Sequence, residues 1–348
     1  MQGAAAIMIA GLGARTPVGI SAPMSAASVR AGIVRFAQHP FMVDGAGAPM
    51  VVSAASYVPA SVLGLERYLA LAVPAMAEAL EPLARVMSSL RPVPVALGLP
   101  LERSELPPRS QVASRLEAAL EGSLEGRVRI SRVHSAGHAA GLLALQTAAE
   151  WLNQGAELCL VGGVESYIEP ETLEWLDRHE QLKSQTHRWG FVPGEAAAFC
   201  LVASERAMSR YGLQPLARVT AVASAIEQDR PDTGRVCTGI GLTRALQGAL
   251  AALPSGAKVD HVFGDLNGDR SRADEYGFSI ARLGERFVDA TAVCTPADCW
   301  GDVGAASGPL FVNLAVAARL RRYARGPWSL LWTSSESGER CAALMGPA

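Results

Sequence analysis

The sequence contains no uninterrupted run of about 18 apolar residues, the length a membrane-crossing helix requires, so no membrane insertion is expected. Its start, MQGAAAIMIAGLG, lacks the basic stretch and small-residue cleavage pattern of a secretory signal, which predicts a cytoplasmic protein. Neither charge dominates. With 31 Lys plus Arg against 33 Asp plus Glu, the formal net charge is -2, without the basic footprint that nucleic-acid binding demands. CxxC spacing is absent. The six cysteines (Cys159, Cys200, Cys237, Cys294, Cys299 and Cys341) are scattered, and Cys159 and Cys200 sit in apolar strand-like runs. They read as buried free thiols rather than disulfides or metal ligands. A dinucleotide loop is missing as well: GLGARTPVG lacks GxGxxG spacing, and Pro17 would interrupt the helix such a site needs.

What is present points to a large buried core. The chain has 348 residues, 49% apolar and 18% charged, enough for two comparable halves. Strand and helix patterns alternate, which predicts an α/β architecture with mainly buried sheets. The run from Ala5 to Ala10 reads as a strand, Leu65 to Leu83 as a helix, Val93 to Leu97 as a strand and Arg109 to Leu124 as a helix. A later helix shows the apolar face Leu142, Leu145, Ala149 and Leu152, and a buried strand follows over Glu157 to Val161. Beyond Pro215 the order returns: a strand (LARVTAVASA), a helix over Thr243 to Ala252, and strand-like runs at Val259 to Phe263 and Arg286 to Val293. A helix through Leu310 to Tyr323 and strands at Trp328 to Trp332 and Cys341 to Met345 complete it. No Pro-, Gly- or Ser-rich linker divides the chain, so one compact unit is expected.

The segment Val133 to Glu165, VHSAGHAAGLLALQTAAEWLNQGAELCLVGGVE, sets a tight turn before a helix opened by His138, then a strand ending in Gly162-Gly-Val-Glu165. This resembles the β-ketoacyl synthases of the thiolase superfamily, in which the active cysteine opens that helix. IAGLGARTPVG is similar to the family's opening strand and turn, and Trp189-Gly-Phe-Val-Pro-Gly-Glu-Ala-Ala-Ala-Phe199 to its GFVxGEGA run. The resemblance implies a duplicated, five-layer α-β-α-β-α thiolase-like fold of two fused halves, residues 1–205 and 206–348.

It also implies which positions carry the chemistry. Decarboxylative condensation needs a thiolate to hold the acyl chain and donors to hold the enolate. The cysteine position falls on His138, and the HGTxT histidine on Asn267 within GDLNGDR. The second histidine falls on Asp302 by the starter-type alignment, or on Gly301 by the elongating-type one. His134 is the alternative occupant of the nucleophile turn. Of six histidines (39, 134, 138, 179, 187 and 261), only His261 lies in the second half, within a strand pattern. The family's glycine-rich C-terminal turn is altered to Ser334-Ser-Glu-Ser-Gly-Glu-Arg340. His134 and His138 have metal-like i, i+4 spacing but no third ligand, and the resemblance puts a bend between them. Neither metal nor cofactor is expected. Cys294 and Cys299 flank the second-histidine loop but precede no helix of the required kind, and read as buried. Asp265, Asp269, Asp274 and Glu275, mixed with Arg270 and Arg272, read as a solvated or ion-paired loop.

The expected function is therefore a synthase-like protein of fatty-acid or polyketide-type metabolism that no longer condenses. The resemblance implies a homodimer, or a heterodimer with a synthase-like subunit, pairing through the strand Glu157 to Val161, with an acyl carrier protein as a further partner. An acyltransferase or thioesterase-like use of His138 with Asp302, and a scaffold role within a larger assembly, are the alternatives.

Overall fold

The computed structural model describes residues 7–103, 109–230 and 233–347, with the backbone alone for 109–113. Ala5 and Ala6 of the expected opening strand lie outside the described residues. The first half runs β1 (Ile7–Arg15), α1 (Ala22–Arg30), β2 (Ala37–Val43), β3 (Pro49–Val52), α2 (Gly64–Leu80), β4 (Val93–Gly98), α3 (Arg109–Ser123), β5 (Val128–His134), α4 (Ala140–Asn153), β6 (Leu158–Ser166), α5 (Pro170–Arg178), β7 (Glu195–Ala203) and α6 (Glu205–Tyr211). The second continues with β8 (Ala217–Ile226), α7 (Ile240–Leu250), β9 (His261–Gly264), α8 (Arg270–Leu283), β10 (Val293–Cys294), α9 (Ala297–Trp300), α10 (Ser307–Leu320), β11 (Ser329–Ser334) and β12 (Glu339–Gly346). No described helix is long and apolar enough to cross a membrane.

Among the described residues, ten strands form one mixed sheet in the order β10-β9-β11-β12-β8-β1-β7-β6-β4-β5. Read outward from the central β1–β8 contact, both halves repeat the same pattern, β1-β7-β6-β4-β5 and β8-β12-β11-β9-β10. The strand senses repeat too: β4, β5 and β6 run parallel with β7 against them, and β9, β10 and β11 run parallel with β12 against them. The halves meet through the short antiparallel register Ile7↔Val219, Met8↔Arg218 and Ile9↔Ala217.

Three core clusters define the layers. One lies between the first half-sheet and α2 with α3, and another between the second half-sheet and α7 with α8. The third surrounds α4 and α10, which pack on each other between the two half-sheets. Helix, sheet, helix pair, sheet, helix is the duplicated five-layer arrangement.

The glycines after the opening strand have a packing reason, not a phosphate-binding one. A Cβ on Gly11 would stand 2.2 Å from the carbonyl oxygen of Ala79, and one on Gly13 1.9 Å from that of Ala75. Only residues without a side chain let β1 lie this close to α2. α2 presents Leu71, Ala72, Ala75, Met76 and Ala79 at helical spacing as a buried stripe.

Several expectations need correction. The run Arg286 to Val293 yields a strand at Val293–Cys294 alone, after a 3-10 turn at Gly284–Arg286. The hairpin β2–β3 went unread because Pro40, which cannot donate to a ladder, sits inside its first strand. Most important, the segment Glu157 to Val161 is no edge. Its strand β6 is bonded to β4 on one side and β7 on the other and is buried throughout, so it cannot pair with a second subunit. The free edge of this half is β5, which exposes Arg129, Ser131 and Arg132.

Candidate functional site

His138 lies in the 3-10 turn Gly137–Ala139 that opens α4, at the buried centre of the molecule. Gly137 adopts φ 56°, the left-handed region, and this tight turn swings the next side chain inward. The imidazole is 3% exposed. Its Nε2 stands 2.8 Å from both carboxylate oxygens of Asp302.

Asp302 arrives from the loop between α9 and α10. Its backbone is fixed by two hydrogen bonds, its amide to the Val192 carbonyl (2.7 Å) and its carbonyl from the Gly194 amide (2.8 Å). Its Oδ1 also accepts from the Gly304 amide at 2.8 Å, and its Oδ2 from Asn267 Nδ2 at 2.5 Å. The three expected residues, His138, Asn267 and Asp302, thus come together. Gly301 does not serve as the alternative: at φ 75°, a Cβ there would stand 2.7 Å from the Val192 carbonyl oxygen.

Two residues outside the expected set complete the cluster. Arg272 places one amino group 3.2 and 3.3 Å from the two ring nitrogens of His138, a contact shared between them rather than directed along one lone pair. Its other amino group donates to Asp265 Oδ2 (2.8 Å) and the Ser334 carbonyl (2.7 Å). Ser335 accepts from the Ala139 amide at 2.8 Å and donates to the Ala136 carbonyl, so the C-terminal turn is fastened over the start of α4. Arg340 ties this turn to Glu275 and to the Ser335 carbonyl.

The acidic run is ion-paired, as one of the two expectations had it, but from Arg270 onward it is helix α8 rather than loop. Asp269 caps α8 by accepting from the Ser271 amide, and Arg270 and Asp274 form an exposed i, i+4 pair on its outer face. Arg272, Glu275, Tyr276, Ser279 and Leu283 form its inner face, at helical spacing. That spacing was the available signal for Arg272, masked by the surrounding charges.

Burial would push the Asp302 carboxyl up, but the charge and hydrogen bond of His138, with Arg272 and Asn267, outweigh it and hold the group well below the usual carboxylate range. For Asp265 the balance is reversed. Burial pushes it up, and Arg272 and His138 offset this only in part.

Space is as telling as charge. The void bordered by His138, Asn267, Trp300, Asp302 and Phe311 measures about 10 Å³. A single water needs about 10–15 Å³, so no acyl chain fits beside His138 in this conformation. Two surface clefts of about 390 and 510 Å³ reach the outer side of the cluster, the first at Asn267 and Arg272 and the second at Arg272 and Ser335, with Glu336 on both linings. Glu336 is held there by Arg103 at 2.9 Å.

The remaining candidates stand elsewhere. His134 ends β5 and contacts Thr147 at 2.9 Å, apart from the His138 pair. His261 packs against Phe263 in β9, and burial lowers it to about 4. Burial pushes Cys159, Cys200 and Cys341 up to about 12 and Cys294 to about 11, which leaves these thiols protonated and poorly nucleophilic. Glu227, Cys237 and Glu275 approach a ligand set, but Glu227 accepts from the Gly241 amide and Glu275 is held by Arg340 and Ser334.

No protein-family model matches the sequence, and no curated protein matches it. Solved structures match over the whole chain. One is described as a type II PKS acyl-carrier protein in complex with its ketosynthase bound to the hexaketide (AntDE:AntF), with a TM-score of 0.81, 15% identity and 99% of each chain covered. The ishigamide ketosynthase/chain length factor gives 0.80 at 15% identity, again over 99% of each chain. The ketosynthase from module 6 of the bacillaene synthase of Bacillus subtilis 168 gives 0.77 at 12% identity, over 99% of this chain and 72% of that one. The chain has the fold of these ketosynthases.

Proposed function

We propose, from a ketosynthase fold whose nucleophile position is filled by His138, that this chain is a non-condensing subunit working beside an active synthase or an acyl carrier protein. The observation that carries this reading is the closed cluster at the start of α4. Condensation requires a nucleophile that accepts the acyl group, room for that group, and free donors for the enolate. Here the helix opens with an imidazole bonded to a buried carboxylate. The space beside it holds at most about one water. The amide of Ala139 is already occupied by Ser335.

Two of the similar structures contain a ketosynthase together with, respectively, its acyl-carrier protein and a chain length factor, which supports partners of those kinds. We place the subunit contact on β5, the free edge of the first half-sheet, whose unpaired backbone groups a second strand would satisfy.

The test is incubation of the purified protein with malonyl-carrier and a panel of acyl thioesters, followed by product analysis and intact-mass spectrometry. No condensation and no acyl adduct are expected. His138→Cys alone restores neither, because Asp302, Arg272 and Ser335 still fill the site, and each missing oxyanion donor costs about 100- to 1,000-fold. Wild-type condensation that disappears in His138→Ala overturns the reading.

The 2.8 Å contact of His138 with Asp302 favours a second reading, a thioesterase- or acyltransferase-like catalyst with imidazole as general base. Thioester hydrolysis or transfer without condensation, lost in His138→Ala, selects it.

A further inference from the structure

At the end of α10 remote from His138, an open cleft of about 1000 Å³ lies between α1, α10 and the loop before β8. It begins where the two half-sheets part: β1 pairs with β8 at Ile7, Met8 and Ile9, and from Ala10 to Leu12 it lines the cleft instead. Its walls are small and apolar, with Ala22 and Ala26 from α1, Val316 and Ala317 from α10, and Leu213 and Leu216. Ser307 and Phe311 of α10 border the void at His138, whereas Val316 and Leu320 face this cleft. Along α10 their nearest lining residues, Phe311 and Asn313, are two positions or about 3 Å of rise apart, yet the two places share no lining residue.

The charge at the mouth is specific. Arg30 lies 4.1 Å over the ring of Tyr323, and Arg321 stands nearby on the cleft lining. Arg30 ends α1 and Arg321 follows α10, yet neither guanidinium caps its helix. The last carbonyls of α1 accept from the amides of Ala31, Gly32 and Ile33, and those of α10 from the amides of Arg321, Tyr323 and Ala324. Neither guanidinium has an acidic side-chain partner among the described residues. Glu78, also on the lining, is fully engaged by the Ala22 amide (2.8 Å), the Ala14 amide (3.2 Å) and Arg15 (2.7 Å). Among the described residues this leaves two guanidiniums without a carboxylate partner on a lining that also carries the exposed Glu81.

A deep apolar cleft with a few convergent charges at one end is the usual form of a small-molecule site. We propose that this cleft binds an anionic amphiphile, an alkyl chain on the alanine-lined walls with its carboxylate against Arg30 and Arg321. The inference stands independently of the reading of the His138 site. Chain length should govern affinity, with up to about fourfold gained per buried methylene.

Isothermal titration with octanoate, decanoate and dodecanoate, each below its micellar concentration, tests this, with dodecyltrimethylammonium as the cationic counterpart of equal chain length. Saturable one-to-one binding of dodecanoate is expected, strengthening with chain length. Arg30→Glu with Arg321→Glu should weaken it at least about tenfold and reverse the preference between the two head groups. Ala317→Trp, which fills the cleft, should abolish binding; if it does not fold, Ala27→Trp on the exposed lining of α1 replaces it. Absence of saturable binding, equal affinity for both head groups, or affinity unchanged by the double charge reversal or the filling variant overturns the proposal.

Discussion

Replacing Asp302 by Asn tests how firmly the central cluster holds the protein together. The side chain keeps its shape, but the carboxylate it replaces is 3% exposed and accepts on both oxygens. Oδ1 takes His138 and Gly304, and Oδ2 takes His138 and Asn267. Whichever way the new amide is turned, its NH₂ meets a donor, either the Gly304 N–H or the Asn267 NH₂. His138 and Arg272 also lose their shared counter-charge. Removing one member of a buried pair costs about 3–5 kcal/mol. With an unfolding entropy of about 2.1 cal/mol/K per residue over 348 residues, this lowers Tm by about 4–7 °C.

The pH dependence gives the loss a signature. Because Asp302 is held below its ordinary value when folded, the unfolded chain takes up the proton more readily. Its contribution is complete above the ordinary carboxylate pKa, about 3.9, and is lost as pH falls through the lower folded value. The stability gap between wild type and Asp302→Asn is therefore full at neutral pH and narrows below about pH 4. Asp265, raised by burial and more weakly by Asp302, runs the opposite way and is present in both proteins. Urea unfolding followed by tryptophan fluorescence, from pH 7.5 down to the lowest pH at which both proteins fold, measures this gap. A loss under about 1 kcal/mol at pH 7.5, or a gap that widens on acidification, would refute the reasoning.

Glu195→Gln breaks a second buried pair, in which Glu195 receives Arg67 at 2.6 and 2.7 Å and also binds Ser166 and the Ala55 amide. It should cost about 3–5 kcal/mol in the same unfolding assay. Glu157→Gln, whose partner Arg210 lies on the surface, should leave the midpoint unchanged. A thiol reagent under native conditions should label Cys237 and Cys294, which are half-buried, well before Cys159, Cys200, Cys299 and Cys341. Counting adducts by intact mass, with unfolded protein as the reference for complete labelling, checks that order.

How much of this was legible in the sequence depended on the range of the interaction. The alternation of strands and helices was readable because each element carries its own signal, such as the buried stripe of α2 or the uniformly apolar β6, whereas the five layers were implied only by the resemblance. His138, Asn267 and Asp302 were singled out by the resemblance, and the structure brings them into contact. The pairing edge was misread because an apolar run shows that a strand is buried, not whether sheet neighbours or a second subunit bury it. β6 and β5 could be told apart only once the strand order was known. Arg272 was hidden for the converse reason. A cation among acidic residues belongs on the surface by default, and what overturns that default here is distant in sequence. Asp265 is its ion partner, but that carboxylate is positioned by the amide of Ser334, and the guanidinium by the carbonyl of the same residue. The charged cluster thus depends on a strand end more than sixty residues away, the same C-terminal turn through which Ser335 seals the start of α4. That turn and Arg272 beside His138 therefore form one connected structural unit. A cysteine placed at His138 would still face the guanidinium that the turn holds in place.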